Sequence, residues 1–433
     1  SPDGMRHIFY IRKGVKFHDG SDLTGADVKF SIERMLAPEV TSTDGPVWRA
    51  AVASVVLQDD YTVVVNLKSV RWELIGGTGL EAVTGVVPKK YIEQIGVEAW
   101  RKAPIGSGPF KVLSYSLGNR LELQAVESHW RAVPKFNNIT VLGVPEEGTR
   151  KSMLKTGELD MASVTPDSVS DLKSAGLRIV SYDGGSQAFA FAMYDSKQPE
   201  KSVYGDVRLR KALQLATDSK EIAEKLLGGN GAPFALADLD KRAYFFDPNV
   251  LKPDPYDPEG AKKLLAEAGY PGGFTTKIWD QGGILSTMSL AISGYWRKIG
   301  VTAEVVPIVY GTVATKMKTR NPEVWNAYFP VIGTMARDFE KMASGYHYTK
   351  GASGGTYNPK LDELIDQVPA IKDPAERKKA ALEAAVMAKN EYSILNITGV
   401  NLIIAVGPKV GDVVRYPGVD ISKYMFETIT HAK

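Results

Sequence analysis

The stretch from residue 256 to residue 309 places the strongest constraint on the fold. It opens with "YDPEGAKKLLAEAGYPGG", a full helix specification in which Asp257 caps the first turn, Pro258 follows the cap and Gly269 ends the helix. The segments "TTKIWDQ", "LSTMSLAISGYWRKIG" and "VTAEVVPIV" then give a strand, a helix and a second strand. This alternation predicts an α/β domain in the second half of the chain.

Near the start of the chain, "KFHDGSDLTGADVKFSIERM" (residues 16–35) combines a tight turn, a helix cap and an amphipathic helix. Thr24 can cap the helix, and Asp27, three residues later, can reach back to the cap and complement the helix dipole. The side chains that share the apolar face of this helix are Val28, Ile32 and Met35. The stretch is therefore interpreted as scaffold.

Several later segments predict strands and turns. "VVLQDDYTVVVNLK" predicts a hairpin that turns at Asp59-Asp60, and "APIGSGPFKVLSY" with "RLELQAVESHW" predicts a second hairpin. Residues 137–162 alternate as strand, helix and strand. In "AGLRIVSYDGGSQAFAFAMY", strand-like character surrounds Gly184-Gly185, which predicts either a crossing between lobes or an ordinary turn.

Length and charge limit the possible partners. At 433 residues the chain exceeds the size of one hydrophobic core, so two or three lobes with a cleft between them are expected. The 53 basic and 50 acidic residues nearly cancel and form no block, which argues against nucleic acid as a partner. No run reaches the roughly 20 apolar residues of a membrane-spanning helix.

Recognisable catalytic and metal-binding motifs are absent from the sequence. With no cysteine, disulfides, thiolate metal sites and cysteine nucleophiles are excluded. The five histidines form no HExxH-type spacing, and GxSxG, GxxxxGK[ST] and GxGxxG at a strand-to-helix junction are also lacking. We therefore expect a protein that is not an enzyme and uses no cofactor. A metal site assembled from distant parts of the chain stays open.

Aromatic and polar residues on loops expected to face the cleft are the candidate ligand contacts. Small-molecule sites are mostly apolar and aromatic with a few fixed polar groups. The residues of this kind are Trp48, Arg49, Trp72, Trp279, Asp280 and Tyr328. Ordinary core packing is the alternative for each tryptophan, because large aromatic side chains also dominate cores.

Five motifs in order resemble those of the extracellular solute-binding proteins of family 5, the peptide and nickel type that serve ABC importers. The motifs are "YIRKGVKFHDGSDLTGADVKFSIERM", "APIGSGPFKVLSY", "LKTGELDMA", "DVRLRKALQLATDSKEIA" and "YDPEGAKKLLAEAGYPGG". Each motif alone is weak. Together they extend the resemblance over nearly the whole chain.

The resemblance implies a type II periplasmic-binding-protein fold, an α/β architecture with two main lobes joined by a two-strand hinge and an extra α/β domain inserted in lobe I. The implied boundaries are residues 1–113 for the extra domain, 114–186 with 400–433 for lobe I, and 187–399 for lobe II. It further implies a monomer that captures a small-molecule solute and docks transiently on a membrane ABC permease. The expected location is the periplasm, or a lipid anchor outside the cytoplasmic membrane, with the signal peptide outside this sequence.

Two departures from the family pattern affect the expected ligand and the expected length. Relatives carry several tens of residues before the "IRKGVKFHDG" strand, and removing central strands would leave unpaired sheet edges, so we expect a longer gene product. Peptide binders usually place an acidic residue before a D-P-D-like turn, whereas this chain reads "GTMARDF", with Arg337 beside Asp338.

Those residues admit solutes that bear a carboxylate, which a guanidinium can hold with two hydrogen bonds. Arg320 falls where some relatives keep an arginine for a ligand carboxylate, and Gln187 completes the predicted ligand-binding set. The expected ligand is a short peptide or an amino-acid-derived compound with a carboxylate. A cleft hydrolase and a relative that binds nickel or a metal chelate are the alternatives.

Overall fold

The structure is a computed structural model of the 433-residue chain. It describes residues 1–38, 45–72, 85–190, 202–236, 239–280, 284–309, 312, 327–328, 331–334, 339–344, 347–349, 357–413 and 426–432.

The chain separates into two compact units. Unit 1 comprises Ser1–Val164, Ser168–Val180 and Ile404–Lys433, and unit 2 comprises Thr165–Asp167 and Ser181–Ile403. Apart from the short Thr165–Asp167 stretch, the chain passes between the units within two strands, which are β8 (Arg178–Ala190) and β14 (Gly399–Val406). The predicted boundaries at residues 113, 186 and 400 are finer than this division and stay a prediction.

One antiparallel sheet of unit 1 has the strand order β1-β3-β2. Its strands are β1 (Arg6–Tyr10), β2 (Val52–Asp59) and β3 (Thr62–Leu67). The hairpin predicted around Asp59-Asp60 is confirmed by the pairing of β2 with β3. The helix Gly25–Leu36 buries its predicted apolar face, made of Val28, Ile32 and Met35, in the same hydrophobic core as these strands.

Asp27 connects the starts of two helices in unit 1. Its Oδ2 accepts a hydrogen bond from the Thr24 backbone N–H at 2.9 Å, which confirms the predicted capping box of the helix Gly25–Leu36. Its Oδ1 accepts from the Lys89 N–H at 2.9 Å, at the first residue of the helix Lys89–Ile95. The buried carboxylate thus satisfies backbone donors in both helices, as expected for scaffold.

A second antiparallel sheet of unit 1 has the order β4-β5-β6. Its strands are β4 (Phe110–Ser116), β5 (Arg120–Ala125) and β6 (Asn138–Leu142), so the predicted second hairpin is confirmed. The His18 ring links the first turn to the bend before β4: Nδ1 accepts from the Gly106 N–H at 3.2 Å, and Nε2 donates to the Gly108 carbonyl at 2.9 Å. One neutral tautomer satisfies both bonds.

The strand, helix and strand predicted for residues 137–162 are also present. After β6 come the helix Glu147–Thr156 and β7 (Met161–Ser163). Within unit 1, β7 pairs antiparallel with residues 404–406 of β14.

Unit 2 contains a parallel sheet with the order β11-β10-β12. Its strands are β10 (Thr275–Asp280), β11 (Thr302–Pro307) and β12 (Ala327–Tyr328). The helix Ile284–Arg297 connects β10 to β11, which confirms the predicted strand, helix and strand. Asp257 caps the helix Pro258–Glu267 by accepting from the Gly260 N–H at 2.8 Å, as predicted.

Helices supply most of the remaining core of unit 2. A cluster around Trp296 joins the parallel sheet to the helices Val207–Leu215 and Pro258–Glu267. A second cluster, around Phe245, contains the inward faces of the helices Pro359–Gln367 and Pro374–Asn390.

β8 continues through Gly184 and Gly185 as one strand, so the alternative of an ordinary turn at these glycines is wrong. Glycine adopts extended backbone as readily as other conformations, so the pair does not force a bend. Within unit 2, β13 (Val331–Thr334) pairs with residues 187–190 of β8, and β9 (Gly231–Ala232) pairs with the start of β14.

Candidate functional site

The carboxyl edge of the parallel sheet in unit 2 is the candidate site. From β10 the chain moves to β11 on one side, and the later strand β12 pairs with β10 on its other side. In open α/β sheets, ligands bind outside the carboxyl ends of the strands at such a switch point. Trp279 and Asp280 end β10, and Tyr328 ends β12, so three of the predicted residues lie at this edge.

Asp280 is held in a fixed position at the end of β10. Asp280 is 9% exposed, and its Oδ2 accepts a hydrogen bond of 2.5 Å from the Ser286 hydroxyl. Ser286 lies in the first turn of the helix Ile284–Arg297, where the helix dipole favours a negative charge. The backbone is fixed as well, because the Ile308 N–H donates to the Asp280 carbonyl at 2.7 Å. Asp280 is therefore a carboxylate held in place at the end of a strand, with its side chain bonded to Ser286 and its backbone bonded to Ile308.

Tyr328 is buried beneath the same edge. Its ring makes edge-on contacts with Tyr204 and Trp296, with ring centroids 4.7 Å and 4.6 Å apart. Burial raises the pKa of the Tyr328 hydroxyl well above its usual range. The hydroxyl has no hydrogen-bond partner among the described residues. Its aromatic body packs in the core, and contact of its hydroxyl with a solute stays a prediction.

The predicted residues of unit 1 have structural partners. Trp48 is 1% exposed in the hydrophobic core. The Arg49 guanidinium donates to the Ala37 carbonyl at 3.4 Å. Trp72 packs on Gly4, where a Cβ atom would lie 2.7 Å from the indole ring. Packing accounts for these positions, and their contact with a solute stays a prediction.

The remaining predicted residues are less defined. The Gln187 backbone pairs with Thr334 in the β8–β13 ladder. Arg320, Arg337 and Asp338 lie outside the described residues.

Sequence reasoning missed a pocket of about 590 Å³ in unit 2. The residues that line it are Asp218, Ser219, Lys220, Ala223, Glu224, Gly231, Ala232, Pro233, Pro253, Asp254, Pro255 and Tyr256. The run "KPDPYDP" carried the available signal, because closely spaced prolines fix the shape of a loop and three acidic or aromatic side chains stand between them.

Among the residues that the structure describes, no group of three or more His, Asp or Glu side chains has an arrangement that could hold a metal ion. No helix within the described ranges combines the length and the apolar character needed to cross a membrane.

Comparisons with known proteins agree with the motif pattern. The family model described as bacterial extracellular solute-binding proteins, family 5 Middle, matches residues 1–356. Heme-binding protein A of Haemophilus influenzae is 26% identical, covering 96% of this chain and 80% of its own. Oligopeptide-binding protein AppA of Bacillus subtilis is 25% identical, covering 87% of this chain and 72% of its own.

Among solved structures, one similar fold is the ABC transporter-associated periplasmic binding protein DppA from Helicobacter pylori in complex with peptide STSA. It has a TM-score of 0.81 at 20% identity and covers 100% of this chain and 88% of its own. This likeness confirms the type II periplasmic-binding-protein fold that the motifs predict.

Proposed function

Because the chain belongs to the bacterial extracellular solute-binding proteins of family 5, we propose that it captures a small organic solute and delivers it to the permease of an ABC importer. The match of the family model over residues 1–356 is the observation that carries this proposal. The names of similar proteins include a heme binder and an oligopeptide binder, so the family alone does not fix the solute.

The solute class in this proposal is a short peptide or an amino-acid-derived compound with a carboxylate. Asp280, anchored by Ser286, is suited to pair with the ammonium group of such a solute. Trp279 beside it is suited to contact an apolar portion. Arg320 or Arg337 would take the carboxylate, because a guanidinium offers two parallel donors.

In this proposal the protein encloses its solute by hinge bending through β8 and β14. Closure is favoured only when the solute makes more contacts in the closed state than in the open state. The solute is released unchanged, since the protein's part is capture and delivery. It acts as a monomer outside the cytoplasmic membrane and contacts the permease transiently.

A thermal-unfolding screen of the purified protein tests the proposal. The panel contains di- to tetrapeptides, opines and aromatic acids, with neutral sugars as the control set. A true solute at 100 times its Kd stabilises the folded state by about 2.7 kcal/mol, which raises Tm measurably. We expect a concentration-dependent rise in Tm for a few related compounds. The absence of any shift across the panel would contradict the proposal.

A further inference from the structure

The pocket of unit 2 that includes Asp254 and Tyr256 has an unbalanced charge. Its lining carries three carboxylates, from Asp218, Glu224 and Asp254, against one ammonium group, from Lys220, and a second ammonium group, from Lys389 outside the lining, pairs with Asp254. The Lys220 side chain is 78% exposed and lies 3.9 Å from Glu224, so it is a solvated group with a carboxylate partner. The pocket therefore favours a cation over an anion.

Asp254 has one satisfied and one unsatisfied carboxylate oxygen. Its Oδ1 lies 2.8 Å from Lys389 Nζ and accepts a hydrogen bond of 3.3 Å from the Tyr392 hydroxyl. The side chains of Asp254 and Lys389 are 10% and 12% exposed. Its Oδ2 is buried and has no hydrogen-bond partner among the described residues. A buried acceptor without a donor costs free energy, which an N–H group of a ligand would recover.

Two uncommon backbone features adjoin this carboxylate. Tyr392, which donates to Asp254, has φ 48°, the single positive φ of a non-glycine residue in the described chain. The π-helical turn Ile222–Leu226 contributes Ala223 and Glu224 to the pocket lining. Both features cost stability in ordinary packing and cluster at functional sites.

Apart from Ser219, the rest of the lining is apolar. Pro233, Pro253 and Pro255 present rigid rings, and Tyr256 presents an aromatic ring that is 38% exposed as a whole residue. The volume of about 590 Å³ lies within the range of small-molecule sites. Rigid apolar walls with a buried acceptor suit a compact ligand that has a hydrocarbon body and a charged N–H donor.

We propose that this pocket binds a small organic cation, an alkylammonium or alkylguanidinium group. The cation donates a hydrogen bond to Asp254, and its hydrocarbon body packs against Tyr256 and the three prolines. None of the lining residues belongs to the carboxyl edge of the parallel sheet, so this is a second binding site beyond the solute site proposed above.

Isothermal titration of the purified chain with n-butylammonium tests the proposal, with n-butanol and butyrate as the neutral and anionic matches. We expect saturable binding of n-butylammonium and at least tenfold weaker binding of the other two. Asp254→Asn keeps an acceptor for Lys389 and Tyr392 but places an amide N–H₂ where the free oxygen stood. The substitution is expected to weaken the binding of n-butylammonium at least tenfold.

Tyr256→Ala removes one wall of the pocket at an exposed position, so it serves as the test variant if Asp254→Asn does not fold. We expect Tyr256→Ala to weaken the binding of n-butylammonium at least threefold. Asp373→Asn is the matched control, because asparagine caps the helix Pro374–Asn390 as well as aspartate does, and its affinity should equal that of the wild type. Equal affinity for n-butylammonium and n-butanol, or wild-type affinity in both pocket variants, would overturn the proposal. Because n-butylammonium is titrated directly, this result does not depend on whether the thermal-unfolding screen finds a solute.

Discussion

The Gln214 side chain and the Asn396 backbone exchange two hydrogen bonds across 182 residues of sequence. Gln214 Nε2 donates to the Asn396 carbonyl at 2.8 Å, and its Oε1 accepts from the Asn396 N–H at 2.6 Å. Gln214 lies in the helix Val207–Leu215 and is 2% exposed. The pair therefore fastens this helix of unit 2 to the chain segment that leads into β14.

Gln214→Ala should lower the free energy of unfolding by about 2 to 4 kcal/mol, because Asn396 loses two buried hydrogen bonds and its carbonyl keeps the longer bond of 3.5 Å from the Ser219 hydroxyl. Urea denaturation measures the change. Gln367→Ala is the control, since Gln367 is exposed and its side chain donates a hydrogen bond of 2.9 Å to Glu363 on the surface of the same helix. The control should stay within about 0.5 kcal/mol of the wild type. Equal effects of the two substitutions would contradict the role of the pair.

Asp27→Ala should destabilise the protein by about 2 to 4 kcal/mol, because backbone donors of two helices lose one shared acceptor. Asp22→Ala removes an aspartate that is 52% exposed and paired with an exposed Lys16, so it should cost at most about 1 kcal/mol. Thermal unfolding of both variants measures the difference. A similar loss from both would show that Asp27 is not a structural connection.

The stability of unit 1 should depend on the protonation of His7. Burial lowers the pKa of His7, and its Nε2 contacts the Arg71 carbonyl at 3.2 Å. The unfolded chain therefore binds the proton more readily than the folded chain. The stabilisation of the folded state by neutral His7 is present above about pH 6.5 and is lost as the pH falls toward the lower pKa of His7 in the folded state.

His7→Gln removes this titration, so the stability difference between wild type and variant should shift against the wild type from pH 7 to pH 5. Urea midpoints at several pH values measure the shift. A difference that stays constant over this range would contradict the assignment.

Asp280→Asn should weaken the binding of the best solute from the thermal-unfolding screen at least tenfold. The reason is that the hydrogen bond from the ammonium group of the solute would lose the charge of its acceptor. Asparagine can still accept from Ser286, so the side chain keeps this contact while it loses its charge. Asp373→Asn, a cap on another helix, is the charge-matched control and should bind like the wild type. Equal Kd values for wild type and Asp280→Asn would remove Asp280 from the site.

Local signals predicted much of the scaffold. The Asp257 cap, the Thr24–Asp27 capping box and the strand, helix and strand of β10 to β11 each depend on residues close in sequence, and each is confirmed. The bonds between Gln214 and Asn396 were not predictable, because nothing local indicates which residues meet over 182 positions.

The candidate site was predictable only in part, for the same reason. Trp279 and Asp280 end a strand that alternation identifies, so their place at the carboxyl edge follows from the fold. Asp254 gives no such signal in the sequence. It is a candidate ligand contact because of its surroundings in the fold, where it bonds Lys389 and Tyr392, which are more than 130 residues away in sequence. Side-chain burial also required the structure, as Tyr328 shows.

The central claim is that the protein binds a solute without converting it. Equilibrium dialysis of the purified protein against the best solute from the thermal-unfolding screen, with bound and free solute quantified by mass spectrometry, tests it most directly. A solute-binding protein holds one equivalent of solute per chain at saturation and returns all of it chemically unchanged after prolonged incubation. Conversion of the solute to a product, or the absence of saturable binding, would contradict the account.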